Sequence, residues 1–260
     1  MPAAEAQAQS GRAAHGQSSP AILARALSKW IDDRPILRQV SLEIGVGRYV
    51  ALLGANGAGK STMLKILATL MPASDGELSL FGQAVSQNTA RVRARIGLIG
   101  HQSMLYRDLS ARENLEFFGR LYGVADPRGR AAELLSLVDL TDRADDPLKA
   151  FSRGMTQRVA IARALVHDPD LLLADEPFDG LDAPSARSLE VMLDGLHRAG
   201  KTIVLVNHDI GQSLRLAERV VVLRRGQVVV DRPAGELSVD AVLSEMEGAL
   251  TPVLAQREGA

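Results

Sequence analysis

The 260-residue sequence contains no cysteine, which excludes disulfide bonds and thiolate metal sites and agrees with a reducing compartment. It also has almost no net charge: 30 Lys and Arg stand against 31 Asp and Glu, a formal charge of -1. That balance supplies no long-range attraction to nucleic acid or to an anionic membrane surface, so no nucleic-acid partner is expected. Long apolar runs are missing as well. Crossing a bilayer takes roughly 20 apolar residues, whereas the longest stretches here are strand-length pieces such as residues 220–223. The chain is not expected to span a membrane by itself. Residues 1–20 lack large apolar side chains and read as a disordered tail. A signal peptide would need an apolar core where Glu5, Gln7 and Gln9 stand, so export of this chain is not expected. What is present is 46% apolar residues, enough at this length to bury a sizeable core.

Short β-like runs at 22–27 and 40–44 lead to Tyr49-Val50-Ala51-Leu52-Leu53, a buried-strand pattern that stops at a glycine-rich turn. Over residues 60–70 the apolar Met63, Leu64, Ile66, Leu67 and Leu70 then recur at helical spacing. Strands follow at 77–81 and 96–99, with Arg91, Arg93 and Arg95 read as alternating on one solvated strand face. Between about 103 and 167 the pattern is helical. Ser110 with Glu113 forms a capping-box start, and Leu115, Phe117, Phe118, Leu121 and Tyr122 supply that helix's apolar face. Two more helices fit 128–137 and 152–166. A strand at 171–174, a helix at 184–199 and a strand at 202–206 restore β/α alternation, which implies a mostly parallel sheet. A β-pair around Arg225-Gly226 and a helix near 236–250 end the chain.

The turn after the strand reads Gly54-Ala55-Asn56-Gly57-Ala58-Gly59-Lys60-Ser61-Thr62, the P-loop pattern with a strand before it and a helix after it. Glycines let consecutive backbone N–H groups point at phosphate oxygens, and the helix N-terminus adds partial positive charge. Lys60 would neutralise the β- and γ-phosphates of ATP, and Ser61 would ligate Mg²⁺. A chance Gly-rich turn is the alternative, and the correct flanking elements weigh against it. The strand at 171–174 ends in Asp175-Glu176-Pro177, two carboxylates at the sheet edge where open α/β folds bind ligands. Asp175 would hold the metal, and Glu176 would orient and deprotonate the attacking water. Taken alone, the same residues also read as a solvated acidic loop.

Phe151-Ser152-Arg153-Gly154-Met155-Thr156-Gln157-Arg158 resembles the signature motif of the ABC (ATP-binding cassette) family, usually Leu-Ser-Gly-Gly-Gln at the opening of a helix. Ser152 and Gly154 are kept, whereas Arg153 and Met155 depart from the pattern; outside that resemblance Ser152 is simply an N-cap. The other family motifs follow in order over residues 21–231. Trp30, the single tryptophan, stands where the family carries an aromatic that stacks on adenine, although a core or surface aromatic would read the same. Gln102 matches the glutamine near the Mg²⁺ and water, with no role assigned to the adjacent His101. Phe178-Asp179-Gly180-Leu181-Asp182 resembles the loop that links the two sites of a dimer, with Asp179 in place of a common Ser or Thr and Asp182 conventional. His208 resembles the switch histidine at the γ-phosphate.

The resemblance implies an α/β fold: a P-loop NTPase core with a mostly parallel sheet, an antiparallel β subdomain and an inserted helical signature subdomain. It implies an ATPase domain over 21–235, with the helical subdomain about 103–167 and a C-terminal helix and tail over 236–260. It further implies ATP and Mg²⁺ as ligands, a homodimer or heterodimer in which one chain's signature completes its partner's site, and a separate transmembrane permease that the chain serves from the cytoplasmic face of the inner membrane. Within the family the segments 99–102 and 109–115 look most like exporter ATPases. The haem-exporter ATPases of cytochrome c maturation come first, and drug, polysaccharide and sodium exporters are the alternatives. A translation ATPase of this family normally duplicates the cassette, and only one set of motifs exists here.

Overall fold

The computed structural model describes residues 19–100 and 103–248. Most of the expected N-terminal tail, His101, Gln102 and the last residues of the expected C-terminal helix and tail lie outside them. Ten strands and eight helices are described. The strands are β1 (Ile22–Ile31), β2 (Arg34–Ile44), β3 (Tyr49–Leu53), β4 (Asp75–Leu80), β5 (Gln83–Ala84), β6 (Ile96–Ile99), β7 (Leu171–Asp175), β8 (Thr202–Val206), β9 (Arg219–Arg224) and β10 (Gln227–Pro233). The helices are α1 (Lys60–Leu67), α2 (Val85–Arg93), α3 (Ala111–Leu121), α4 (Pro127–Leu137), α5 (Arg153–Ala164), α6 (Ala183–Arg198), α7 (Ile210–Leu216) and α8 (Val239–Glu247).

Two sheets are formed, one of order β2-β1-β4-β5 and one of order β10-β9-β3-β8-β7-β6. The first is antiparallel, and in the second β9, β3, β8, β7 and β6 run parallel with β10 antiparallel at the edge. Parallel strands covered on both faces need apolar residues at both parities, which is why their sequences read as near-continuous apolar runs. Alternation then sorts those residues between two cores. Ala51, Leu53, Leu172, Ala174, Ile203, Leu205, Val220 and Val222 join α3–α7 on one face. Leu52, Leu171, Leu173, Val204, Val206 and Val221 join α1 and the antiparallel sheet on the other.

The expected strand, loop and helix around residues 49–67 is present, and so is the capping box that opens α3. There the Glu113 N–H donates to Ser110 Oγ at 3.1 Å and the Ser110 N–H to Glu113 Oε2 at 2.8 Å. Two expectations are corrected. Arg91 and Arg93 belong to α2 rather than to a strand; Arg93 donates to the side chain and carbonyl of Thr69, while Arg95 pairs with Asp170 and covers the Phe81 ring. The apolar stripe of α3 is only partly covered: Leu115 is buried, whereas Phe117, Leu121 and Tyr122 are exposed, Leu121 by 69%.

Candidate nucleotide site at the carboxyl edge of the parallel sheet

Strand order and register align four chain segments at one edge. Leu52 pairs with Val206, Val206 with Asp175, and Ala174 with Ile99, so the loops leaving β3, β8, β7 and β6 emerge side by side. They carry, in that order, the glycine-rich loop, His208, the Asp175-Glu176 pair and Gly100. This is the crevice in which open α/β sheets bind ligands.

The glycine-rich loop is locked from three directions. Gly54 has φ +151, and a Cβ there would come closer than 3.0 Å to the carbonyl oxygen of Leu223 on β9. The Gly226 N–H, in the β9–β10 turn, donates to the Ala58 carbonyl at 3.0 Å. Ile36 of β2 presses its carbonyl against Gly59. The loop ends in α1, whose N-terminus has no side-chain cap, unlike α3, α4, α5, α6, α7 and α8. Uncapped N–H groups at the end of the helix macrodipole suit an anion.

Lys60 is buried, and its Nζ donates to the carbonyl oxygens of Gly54 at 2.8 Å and Ala55 at 3.2 Å. Burial holds its ammonium below the usual lysine range, while the carboxylates of Glu176 and Asp175 push in the opposite direction. The next residue, Ser61, donates from Oγ to Asp175 Oδ1 at 3.3 Å across 114 residues of sequence. Glu176 is half-buried with φ +52, and its backbone N–H donates to the Val206 carbonyl at 2.9 Å. Lys60, Ser61, Asp175 and Glu176 are thus one constellation. Asn56 and Gly57 lie exposed at the loop's rim, Ala58 is buried beneath it, and Thr62 sits in the first turn of α1.

His208 is exposed directly after β8. Sequence reading missed its support. Buried Asn207 accepts the His208 N–H at 2.9 Å, donates to Gln212 Oε1 at 2.8 Å, and Gln212 donates in turn to Glu190 at 2.6 Å. An Asn before a His at a strand end was a readable cue for such a turn. Trp30 stands near the tip of the β1–β2 hairpin opposite Pro35, 45% exposed, on the hairpin that abuts Gly59.

The signature-like residues open α5. Ser152 is its N-cap, accepting the Met155 N–H at 3.2 Å, and Met155 packs against the core, which accounts for an apolar residue there. Gly154 faces Ser185 and Leu181, so α5 and α6 start in contact. Asp182 caps α6 through the Ser185 N–H at 2.9 Å, and hydrogen bonds from Ser185 hold its carboxyl below the usual range. The structure gathers Ser152, Gly154 and Asp182 in a second cluster, where α5 and α6 begin.

A parallel sheet with a P-loop, an acidic strand end and a buried lysine defines a P-loop NTPase. A family model described as ABC transporter matches residues 37–179. ABC transporter ATP-binding protein NatA of Bacillus subtilis (strain 168) is 40% identical over 74% of this chain and 80% of its own length. Nod factor export ATP-binding protein I of Cupriavidus metallidurans is 36% identical over 82% of this chain and 71% of its own. Among solved structures, the dimeric ATP-binding cassette MJ0796 in a post-hydrolysis state bound to ADP and phosphate superposes with a TM-score of 0.75 at 30% identity, covering 82% of this chain and 98% of that one. The chain belongs to the ABC transporter family, as an ATP-hydrolysing subunit. Neither relative carries the haem-exporter description that the sequence reading put first, and one is named for export of another cargo. The likeness therefore holds for exporter ATPases broadly, and the alternative cargoes are the better supported.

Proposed function

We propose that this chain powers export through a separate membrane permease by binding ATP at the sheet edge, closing into a dimer on it and hydrolysing it. The observation that carries the reading is the row of adjacent strand ends bringing Lys60, Ser61, Asp175 and Glu176 into one constellation.

In this reading Lys60, already desolvated, exchanges the loop carbonyls it now touches for β- and γ-phosphate oxygens, where its charge is worth more than in water. The open N-terminus of α1 adds donors on the same side. The Ser61 hydroxyl and the Asp175 carboxylate form the oxygen pair that would hold Mg²⁺; Gln102, assigned to the same metal by the family resemblance, lies outside the described residues. Mg²⁺ supplies charge neutralisation on the phosphates. Glu176 aligns the attacking water and takes its proton, general-base help worth roughly 10²–10⁴ in rate. His208, held by Asn207, contacts the γ-phosphate, and Trp30 stacks on adenine. Gly54, Asn56, Gly57, Ala58, Gly59 and Thr62 line the nucleotide's path. Ser152, Gly154 and Asp182 belong to the surface that completes the site of a second copy or of a related subunit.

A permease partner is supported by surface chemistry. No helix among the described residues is long and apolar enough to cross a membrane. Yet Met104, Tyr106, Phe117, Leu121 and Tyr122 are exposed together on α3 and the segment leading into it, with Tyr106 and Phe117 in edge contact at 5.1 Å. Contiguous exposed apolar surface of this kind marks an interaction site. The chain would then work as a peripheral subunit on the cytoplasmic face of the inner membrane.

The test is Glu176→Gln with ATP, which should retain nucleotide, arrest turnover and hold the dimer. Isolation of that complex from solubilised membranes should bring down an integral membrane protein, identifiable by mass spectrometry. Full ATPase activity in the variant would remove Glu176 from its role, and a stable dimer free of any membrane protein would overturn the transport assignment.

A further inference from the structure

Two positions at which the sequence departs from the ABC pattern, Arg153 and Asp179, meet in space. Arg153 Nη2 lies 2.9 Å from Asp179 Oδ2, an ion pair across 26 residues. The guanidinium lies over Gly180, where a Cβ would overlap it. One turn further along α5, Gln157 donates to the Pro177 carbonyl at 3.2 Å, and the Asp179 N–H donates to the carbonyl of Glu176 at 3.1 Å. The first turn of α5 is thereby fastened to the loop that carries Glu176. Arg153, Thr156, Gln157, Glu176 and Asp179 share the lining of one open cavity of about 360 Å³.

The pair is poorly suited to a stabilising role. Its side chains are 67% and 44% exposed, where ion pairs contribute little to stability. Arg153 is also the first residue of α5, a helix with no acidic residue in its first turn. A cation there opposes the helix macrodipole, which favours an anion at that end. Asp179 is the anion that answers it in the isolated chain. A phosphate brought to Ser152 and Gly154 would answer it better, through the helix N–H groups and a bidentate guanidinium contact.

We propose that Arg153 is a partner-exchanging positioning residue: it holds Asp179 in the separate subunit and transfers to the γ-phosphate of ATP carried by the opposing subunit, which releases the loop bearing its own chain's Glu176. Each site thereby learns of nucleotide in the other through one ion pair, and ATP turnover is positively cooperative. The proposal rests on the dimeric ATPase reading above.

The experiment measures ATP-driven dimerisation by light scattering in the Glu176→Gln background, and steady-state ATPase cooperativity in the otherwise unaltered chain. Asp179→Asn removes the competitor of phosphate, so the ATP concentration for half-dimerisation should fall about five-fold and the Hill coefficient should drop toward one. Arg153→Ala should raise that concentration, and Arg153→Lys should recover part of the loss. In an Arg153→Ala chain, Asp179→Asn should have no further effect. If Asp179→Asn weakens dimerisation, the pair is structural and the exchange is wrong. An equal gain from Asp179→Asn with and without Arg153 would also overturn it, because bare charge repulsion would then explain the gain. Failure of the Glu176→Gln chain itself to dimerise with ATP would instead refute the underlying dimeric reading.

Discussion

Gly54→Ala and Gly57→Ala are the same chemical change three residues apart in one loop, and the structure separates their outcomes. At Gly54 the new methyl meets the Leu223 carbonyl closer than 3.0 Å and the Ala58 Cβ at 3.1 Å, with φ at +151. Leu223 is strand backbone in β9, paired to β3 through Leu53 and Val222, so it cannot swing aside without parting the central sheet. Backbone strain of this kind costs about 1–3 kcal/mol, and forcing a methyl into close-packed surroundings costs about another 1–3 kcal/mol. Their sum, about 2–6 kcal/mol, corresponds to a melting temperature lower by roughly 5–20 °C for a domain of this size. At Gly57, φ is +78 and nothing lies within 4 Å of the added Cβ, so only the left-handed backbone resists. That costs about 1–2 kcal/mol, or a few degrees. Thermal and urea unfolding of both variants without nucleotide reads the difference directly. Equal losses, or an unshifted Gly54→Ala, would refute the claim that β9 clamps the base of the loop.

Asn114 is fully buried and holds Tyr106 through both its backbone N–H and carbonyl; in Asn114→Ala the carbonyl keeps the Leu109 N–H but the Tyr106 N–H loses its partner, which should cost about 1–3 kcal/mol in urea unfolding. Trp30→Ala should raise the dissociation constant for ATP about ten-fold or more through lost base stacking, while leaving turnover at saturating ATP near wild type; unchanged affinity would mean that adenine is held elsewhere. His167 is stacked on Tyr122 with its Nδ1 unpartnered, and burial holds its imidazole below the usual histidine range. The unfolded chain therefore binds more protons than the folded one below about pH 6.5, so stability should fall with pH through that range. His167→Phe should flatten the decline in melting temperature between pH 7 and 5, and an unaltered slope would show that other groups govern it.

What the sequence disclosed follows from how each element is buried. The strands β3, β6, β7 and β8 were legible almost to the residue because burial on both faces writes them as apolar runs between turn residues. The strands β1 and β2 are longer than their apolar runs indicate. Left-handed residues at Ala26 and Gln39 and shifts of register interrupt their alternation, which hides their continuity from a period-two pattern. The helix α2 escaped because its residues are largely polar, with Val92 its buried anchor, and its arginines happened to fall at alternate positions. The grouping of Lys60, Ser61, Asp175 and Glu176 was legible because motifs name residues at strand ends, and parallel register brings those ends together. The Arg153–Asp179 pair was not, because both residues looked like isolated departures from a pattern until the fold joined them.

The α3 helix shows where periodicity stops informing. Spacing assigned Leu115, Phe117, Phe118, Leu121 and Tyr122 to a single apolar face, yet Leu115 is buried while Leu121 and Tyr122 meet solvent. An eleven-residue helix turns through about three revolutions, and a stripe that wide exceeds what α4 and α5 can cover. Leu121 leaves most of its apolar surface in water, and Phe117 and Tyr122, though in ring contact with Phe118 and His167, leave about two-fifths of theirs. The burial free energy of that surface is therefore still available for association, at about 25 cal/mol for each Å² covered. Because these residues flank the segment that leaves β6 at the nucleotide edge, a partner seated on them would be positioned to feel closure and opening of the ATP site.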